Sequence, residues 1–526
     1  MALISYKERR DVIPNWRSYT KTARLGELFS IKREPWEAPV FPISGYLEAW
    51  LDQQTLPYAT DLLSAALVNG VNNNPIVSQA ANFVLTNKGI SEHIRKIAQC
   101  FIMSEIKDSF IEKIDPAIML DNLFNNEERL KDAIRLIKRE NSNFPYNPIA
   151  YCELARYYTL LGVRTHAENA MNIALHLAPD LRYVTRCAAR LFLKLGDAEH
   201  AHWVVTHNSA IMIDPWLLAS EIAINSSMGR NSRFAKIGVR LLQSENYAPF
   251  CCSELASALG TLEMVNGSRK KCTKFVNTSL QSPNDNSLAQ AEWLKTEYSD
   301  LNLDFKDYSN LLLKSEADAR YSFFRRDYNQ ALSESIKWID DLPYDKTPIL
   351  FGSSVAHNFL KDFDVAAKIL KVGLISNPGD TMLLNNLAYV LALKGETNEA
   401  SSIMDKPFMF DSSLDINSII CHTATKGLIS FRKGNTEDGT KKYMEAINLA
   451  KEKSKDKDII NRAILNFLRE GARSKIVSKK QIEGILNNLK FEDIEMDQLK
   501  EDVEVEIEKT PETEVKSLPI TLDFLT

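Results

Sequence analysis

Glycine and proline, the residues that most often interrupt helices, number only 19 each in a chain of 526 residues. Their scarcity disfavours turn-rich sheet folds and favours an all-α fold. The length alone suggests about three domains, but a repeat array can extend one core much further. The apolar fraction of 44% is sufficient for either arrangement.

Paired cysteines are also missing. The seven cysteines form no C-x-x-C pair, and they are scattered at positions 100, 152, 187, 251, 252, 272 and 421. This usage is typical of a reducing compartment and excludes a disulfide framework. The first 30 residues contain no apolar core of seven or more residues, and no run of 18 apolar residues occurs anywhere. We therefore expect a soluble, cytoplasmic protein that does not enter membranes.

Sequence motifs of the common nucleotide, metal and hydrolase sites are absent. The neighbouring histidines His200, His202 and His207 have no fourth ligand at a suitable spacing, so we expect no metal and no cofactor. The basic run 269–274 lacks interleaved aromatic residues for base stacking, which favours a solvated face over a nucleic-acid site. We predict that the chain is not an enzyme. An unfamiliar catalytic site within residues 1–147 is the alternative.

Charge is distributed unevenly along the chain. The net charge is −5, yet residues 492–526 hold 12 acidic and three basic side chains, which leaves the rest of the chain mildly basic. We predict a disordered acidic tail over residues 491–526. The tail has three possible roles: it provides solvation, folds back to compete with an acidic ligand, or is captured by a partner.

A helix-pair pattern recurs with a period near 34 residues. In "LLNNLAYVLALKGETNEA" (383–400), apolar residues at helical spacing precede Gly395, which ends the first helix, and Ala400 begins the face of a second. The stretch "PIAYCELARYYTLLGVRTHAENAMNIALHLAP" (148–179) repeats the same frame. Because one pair cannot bury its apolar face alone, we expect a stacked array.

The frame resembles the tetratricopeptide repeat (TPR) consensus of small, aromatic and glycine positions. The residues that carry the resemblance are Tyr151, Leu154, Ala155, Tyr158, Gly162, Ala167, Met171, Ala174, Pro179, Ala189, Phe192, Gly196, Ala201, Ala319, Ala331, Ala366, Gly373, Leu387, Ala388, Gly395, Ala400, Gly427, Gly434, Tyr443 and Ala446. The resemblance covers roughly residues 148–450. It implies a right-handed superhelical α-solenoid of antiparallel helix pairs, whose first helices line a concave groove. A two-residue insertion is expected in the second helix of the unit that ends at Pro215.

The chain divides by pattern into seven segments. They are an aromatic and basic N-terminal arm (1–45), diverged helical repeats (46–147), TPR units of which the last two are degenerate (148–283), a helical connector (284–311), further TPR units (312–452), capping helices (453–490) and the acidic tail (491–526). The arm either packs its aromatic residues on the first helices or docks on another protein. The docking candidates are Trp16, Tyr19 and Trp36.

The resemblance also predicts which side chains line the groove. Carried over unit by unit, these positions are Arg156, Arg186, Arg190, Arg320, Phe351, Asn358, Asn385, Asn386 and Tyr389. Arginines can hold carboxylates by paired hydrogen bonds, and asparagines can hold a peptide backbone. The lysine and asparagine of the chaperone-binding carboxylate clamp are replaced by Asn385 and Tyr389. The alternative is that these side chains contact the neighbouring repeat.

These observations predict a non-catalytic scaffold or adaptor within a larger complex. Its groove would bind a peptide or protein segment, with an acidic segment as one candidate partner. The alternative is a ligand-responsive TPR regulator that changes its superhelical shape on binding. Nucleic acid is not an expected partner, and the sequence does not specify an oligomeric state.

Overall fold

The structure of the chain is a computed structural model. The structure describes residues 9–18, 43–68, 74–87, a few positions between 90 and 102, and 127–509 with gaps at 144, 245, 310, 312, 407–408, 410–413, 455 and 490–493. The secondary structure assigned over these residues is helical. The chain divides into two compact units, with the division between residues 345 and 346, inside the predicted repeat segment 312–452.

Fifteen helices of the described residues belong to the first unit, residues 9–345. They are α1 (Ile43–Asp52), α2 (Leu56–Val68), α3 (Pro75–Thr86), α4 (Glu127–Asn143), α5 (Pro148–Leu160), α6 (Arg164–Leu177), α7 (Arg182–Lys194), α8 (Ala198–His207), α9 (Pro215–Ser227), α10 (Ala235–Gln243), α11 (Pro249–Val265), α12 (Arg269–Ser279), α13 (Asp285–Glu297), α14 (Ser315–Phe324) and α15 (Tyr328–Asp341).

Nine helices of the described residues belong to the second unit. They are α16 (Lys346–Ser354), α17 (Phe363–Ser376), α18 (Thr381–Lys394), α19 (Thr397–Met404), α20 (Ile416–Arg432), α21 (Thr436–Leu449), α22 (Lys457–Arg473), α23 (Lys479–Leu486) and α24 (Ile494–Glu508). Short π-helical turns follow α16 at Val355–Phe359 and α21 at Ala450–Ser454.

Successive helices pack as pairs, and the first helix of each pair also contacts the first helix of the next. In the first unit α5, α7, α9, α11 and α13 stack in this way, and in the second unit α18, α20 and α22 do so. The small residues of the repeat frame lie between the helices. The buried members are Ala155, Ala167, Ala174, Ala189, Ala201, Ala319, Ala331, Ala366, Ala388, Ala400 and Ala446. The chain therefore has the TPR-like helical repeat fold that the sequence predicts.

The turn inside each pair requires a residue in the left-handed region. Glycine supplies it six times, as at Gly162 (φ 69°) and Gly395 (φ 98°). Arg326 (φ 61°) and Lys361 (φ 56°) supply it where the repeat has no glycine. The left-handed region is energetically unfavourable for a residue with a Cβ atom, so these two turns are strained relative to the glycine turns.

Two local predictions from the sequence are corrected by the structure. The insertion before Pro215 does not bulge the second helix, because α8 ends at His207 and the extra residues form the following turn. The connector 284–311 is helical only to Glu297. Beyond it, Leu301, Leu303, Phe305, Tyr308 and Leu311 pack on the core formed by α12 and α13, and so take the place of a second helix.

The acidic tail also differs from its prediction over part of its length. Residues 494–508 form the helix α24, whose apolar residues Met496, Leu499, Val503 and Ile507 are buried along one side. Residues 510–526 lie outside the described residues. Among the helices that the structure describes, none combines the length and the apolar character needed to cross a membrane.

Candidate functional site

A short N-terminal segment, Arg9–Ser18, lies against the first helices of the first unit. We call it the arm segment, and we call the surface formed by α7, α9, α13 and α14 the first-helix face. The arm segment has no helical or strand structure. Its burial alternates, with Val12, Pro14 and Trp16 buried and the residues between them partly exposed. This period of two is that of an extended peptide with one side turned to a surface.

Polar side chains of the first-helix face hold the backbone of the arm segment. The Gln290 side-chain amide donates to the Arg10 carbonyl at 2.7 Å. The Asn286 side-chain amide donates to the Ile13 carbonyl at 3.0 Å. The Tyr183 hydroxyl donates to the carbonyl of Arg17 at 3.2 Å. Contacts of this kind recognise an extended backbone whatever its side chains are.

Trp16 is the largest buried side chain of the arm segment. It is 1% exposed, and its ring lies 5.7 Å from the ring of Tyr344, measured between centroids. The Tyr344 hydroxyl also accepts from the Trp16 backbone N–H at 3.1 Å and donates to its carbonyl at 2.9 Å. Burial raises the pKa of Tyr344 to about 12, so the hydroxyl stays protonated and can serve both roles.

Two arginines of the arm segment meet carboxylates of the first unit. Arg10 bonds Glu316 through Nε at 2.7 Å and through a terminal nitrogen at 2.8 Å. Arg17 bonds Asp341 through Nε and Asp285 through a terminal nitrogen, both at 2.6 Å. The side chains of Arg17 and its two partners are at most 6% exposed. Charged groups buried this deeply must be paired, and these are.

The electrostatics of the face depend on these pairs. Burial alone would raise the pKa of Glu316, but the guanidiniums of Arg10 and Arg320 lower it to about 2. Burial raises the pKa of Asp285, and Arg17 opposes that shift. Removing the arm segment would leave Glu316 with Arg320 alone and would take Arg17 from the buried carboxylates Asp285 and Asp341, which is costly in a region of low dielectric.

Local sequence explains why these groups share one surface. Asn286 and Gln290 are four residues apart on α13, as are Glu316 and Arg320 on α14, so each pair projects from one side of its helix. The start of α13 is fixed by a capping box in which Asn284 and Ser287 exchange side-chain and backbone hydrogen bonds. This cap places Asp285 at the first helical position.

The four arginines predicted for the groove all lie beside carboxylates of their own unit. Arg156 bonds Glu153, Arg190 bonds Asp345, and Arg320 bonds Glu316. Each of these three guanidiniums also lies over an aromatic ring. The distance to the ring centroid is 4.9 Å from Arg156 to Tyr157, 5.8 Å from Arg190 to Tyr344 and 5.6 Å from Arg320 to Trp338.

Arg186 shows most clearly what these arginines do. It forms a two-pronged pair with Glu254 at 2.8 and 3.1 Å, and both side chains are buried. It also donates to the Trp216 carbonyl at 3.3 Å. Because Glu254 is on α11 and Trp216 on α9, Arg186 joins neighbouring repeats. The arginine charges predicted to bind an acidic ligand are thus compensated within the fold.

The remaining predicted groove residues lie in the second unit, and the structure buries most of them. Phe351, Asn385, Asn386 and Tyr389 are each at most 3% exposed. The Tyr389 hydroxyl donates to the Asn466 side-chain oxygen at 2.9 Å and accepts from Arg469 at 3.2 Å.

Asn385 and Asn386 share a side-chain hydrogen bond of 3.3 Å. Asn358, which is partly buried, donates to the Ser354 hydroxyl at 3.0 Å. These side chains are therefore bound within the second unit, in which they contact neighbouring helices.

The tail helix α24 packs against helices of the second unit, as the arm segment packs against helices of the first. It packs on α22 and on the π-turn after α16. Glu495 is 2% exposed, accepts from Arg462 at 3.2 Å and also accepts from the Ser354 hydroxyl. Nearer the surface, Lys361 bonds Asp502 at 2.6 Å. Each unit thus holds one terminal segment of the chain against its helices.

Several site residues were missed by the sequence analysis. The sequence did not indicate Asn286 and Gln290, because α13 lies in the connector, where the repeat frame is unclear. It did not indicate Tyr344, because this residue follows a helix and does not occupy a repeat position that lines the groove. Of the predicted arm residues, Tyr19 and Trp36 lie outside the described residues. Within the part of the chain that the structure describes, no three His, Cys, Asp or Glu side chains group closely enough to hold a metal ion.

Comparison with known proteins gives structural neighbours alone. No family model matches the chain, and no curated protein matches it. One similar solved structure is a tetratricopeptide repeat protein from Parabacteroides merdae ATCC 43184, with 14% identity and a TM-score of 0.27, covering 52% of this chain and 96% of that one. Another is yeast Tom70, with 16% identity and a TM-score of 0.32, covering 75% of this chain and 96% of that one. The TPR-like assignment rests on the chain's own helix pairs and buried alanines.

Proposed function

We propose that the chain is a protein-interaction scaffold that binds an extended peptide segment of a partner protein on its first-helix face. One observation carries this proposal: side chains on α7 and α13 and Tyr344 hold the main chain of a ten-residue segment at four successive points. A surface that satisfies the backbone groups of one extended peptide suits others of the same length.

We further propose that the chain is non-catalytic, cytoplasmic and a subunit of a larger complex. The six cysteines that the structure describes are buried. The charged side chains on the first-helix face act in ion pairs that connect helices or hold the arm segment. Such groups serve recognition and packing better than proton transfer.

The test uses the full chain with a weakened arm segment. In the variant Trp16→Ala with Arg17→Ala, the arm loses its buried ring and one buried charge. A fluorescein-labelled peptide of residues 9–18 should bind this variant with one-to-one stoichiometry in a fluorescence anisotropy titration, and should bind the unmodified chain much more weakly.

The control variant carries the same two substitution types at exposed positions. Trp203 and Arg230 are 52% and 54% exposed, and Arg230 pairs with Glu199. Trp203→Ala with Arg230→Ala should bind the peptide as weakly as the unmodified chain. A second measurement needs no variant: excess peptide should increase hydrogen exchange in residues 9–18 of the unmodified chain. If the arm-weakened variant folds but takes up no peptide, the proposal is wrong.

A ligand-responsive regulator is the second candidate, and the position of the arm segment favours it. Any ligand that takes the first-helix face must displace Trp16 and Arg17 from buried sites. Binding would therefore be coupled to release of the arm segment. A regulator should release the arm at ligand concentrations that saturate binding, which hydrogen exchange of residues 9–18 would detect. A simple scaffold would release the arm segment too, but only a regulator would also change hydrogen exchange in helices away from the first-helix face.

A further inference from the structure

The arm segment is held by contacts to its backbone and by contacts to its side chains, and the two kinds of contact have different roles. The backbone contacts from Gln290, Asn286 and Tyr183 accept any extended chain. The side-chain contacts select residue types, since a buried carboxylate needs a cation and a buried aromatic site needs a ring. The side-chain contacts therefore define what the first-helix face recognises.

The cationic positions are the first part of this pattern. Glu316 faces Arg10, and Asp285 and Asp341 both face Arg17. Arg10 also bonds Gln290 at 2.8 Å and Asn286 at 2.9 Å. A lysine offers a single point charge and could not make these forked contacts at once, so the geometry suits arginine.

The aromatic and apolar positions are the second part. Trp16 stands six residues after Arg10 and directly before Arg17, and it fills a site beside Tyr344. Val12 and Pro14 are buried on the same side. Proline at this point restricts the unbound peptide to extended conformations and so lowers the entropy lost on binding.

The face's own cations do not oppose a basic peptide. Arg186 is paired with Glu254, and Arg190 is paired with Asp345. The arm segment itself carries three arginines against one aspartate. Its charge and that of the carboxylates facing it are complementary, which supports both association rate and selectivity.

From these contacts we propose that the first-helix face selects a basic, tryptophan-containing extended segment of a partner protein, and that the arm segment is a built-in copy of that ligand. The pattern is an arginine, then small or apolar residues at every second position, then a tryptophan followed at once by a second arginine. This inference rests on the proposed function, because it specifies the peptide class for the same face.

The test compares four labelled peptides on the arm-weakened variant, Trp16→Ala with Arg17→Ala. The parent is residues 9–18. The others are its charge-reversed form with both Arg10 and Arg17 changed to Glu, its Trp16→Ala form, and a scrambled peptide of the same composition. The parent should bind at least about 100-fold more tightly than each of the other three. Changing Glu316→Gln in the receptor should weaken binding of the parent and strengthen binding of the charge-reversed peptide, because it removes the repulsion between Glu316 and the glutamate that replaces Arg10.

The outcomes separate the two proposals. If no peptide binds a folded receptor, both the proposed function and this inference fail. If the parent and the charge-reversed or scrambled peptides bind equally well, the face is a peptide site without this selectivity, and only the inference fails. Light scattering on the arm-weakened and unmodified chains measures whether either of them forms a dimer. A dimer formed by exchange of arm segments would make a second copy of the chain the occupant, which would also overturn the inference.

Discussion

The hydroxyl of Tyr344 bonds both the backbone N–H and the backbone carbonyl of Trp16, at 3.1 and 2.9 Å. The two residues are 328 positions apart in sequence, and both are almost fully buried. One side chain thus satisfies both main-chain groups of a residue that has no partner strand or helix. This contact is the point at which the arm segment is most firmly fixed to the first unit.

Replacing Tyr344 with Phe keeps the ring and removes both hydrogen bonds. Two buried backbone groups of Trp16 would then lose their partner, and we expect the arm segment to be held less tightly by about 2 kcal/mol. Hydrogen-exchange mass spectrometry of residues 9–18 should show the loss of protection. Tyr146→Phe is the control, because Tyr146 is 68% exposed and contacts no arm residue. Equal protection in the two variants would show that the hydroxyl does not fix the arm.

Gly427 allows α20 and α21 to approach closely. A Cβ at this position would lie 2.9 Å from the Tyr443 ring and 3.2 Å from the Gly439 carbonyl oxygen. Gly427→Ala should therefore destabilise the chain by about 1–2 kcal/mol, despite the better helix propensity of alanine.

The matched control is Gly484→Ala on α23, where a Cβ would meet nothing within 4 Å. This second change should stabilise the chain by about 0.5–1 kcal/mol. Urea unfolding monitored by circular dichroism measures both. Shifts of the same sign would contradict the close approach at Gly427.

The tail helix should depend on its buried carboxylate far more than on its exposed one. Glu495 is buried and bonds Arg462 and Ser354, so Glu495→Ala should weaken the docking of α24 by about 3 kcal/mol. Asp502 bonds Lys361 in a partly exposed pair, so Asp502→Ala should cost less than about 1 kcal/mol. Hydrogen exchange across residues 494–508 reports both effects. A larger loss of protection for Asp502→Ala would refute this ranking.

His357 should make the second unit sensitive to mild acid. Burial, together with the nearby cations Lys361, Arg462 and Arg469, lowers the pKa of His357 to about 3, although a hydrogen bond to the Ser353 carbonyl opposes the shift. The unfolded chain has an ordinary histidine, which takes up a proton near pH 6.5. Between these two values the unfolded state binds more protons, so stability is present at neutral pH and is lost as pH falls.

The expected size of this effect is about 2 kcal/mol between pH 7 and pH 5. Substitution of His357 by Gln removes the titrating group, so the variant should lose that much less stability over the same range. Urea unfolding at several pH values, with the unmodified chain beside the variant, is the measurement. The same pH dependence in both proteins would count against the buried neutral imidazole.

The sequence predicted the helix pairs because their determinants are local. Small residues such as Ala155, Ala167 and Ala174 recur at fixed spacing, and the structure buries them between helices. The turns that contain glycine could also be predicted from the sequence. The turns at Arg326 and Lys361 could not be predicted, because the packing of the helices on both sides imposes a left-handed backbone that these residues do not favour themselves.

The site was less predictable because its contacts join distant parts of the chain. The frame located Arg186 and Arg320 but not the carboxylates that pair with them, since Glu254 is 68 residues from Arg186. The frame also failed over α13, whose partner is an irregular stretch instead of a helix. Yet α13 supplies Asn286 and Gln290, which hold the arm segment. The degenerate repeat therefore carries more of the site than the regular ones.

The contact between Trp16 and Tyr344 also places a constraint on synthesis. A translating ribosome completes Trp16 roughly 15 to 65 seconds before Tyr344, given 328 intervening positions and a rate of about 5–20 residues per second. During that interval the arm segment has left the ribosome's catalytic centre, but the surface that buries it is incomplete. An apolar and cationic stretch is then exposed to other proteins before the surface that buries it has formed.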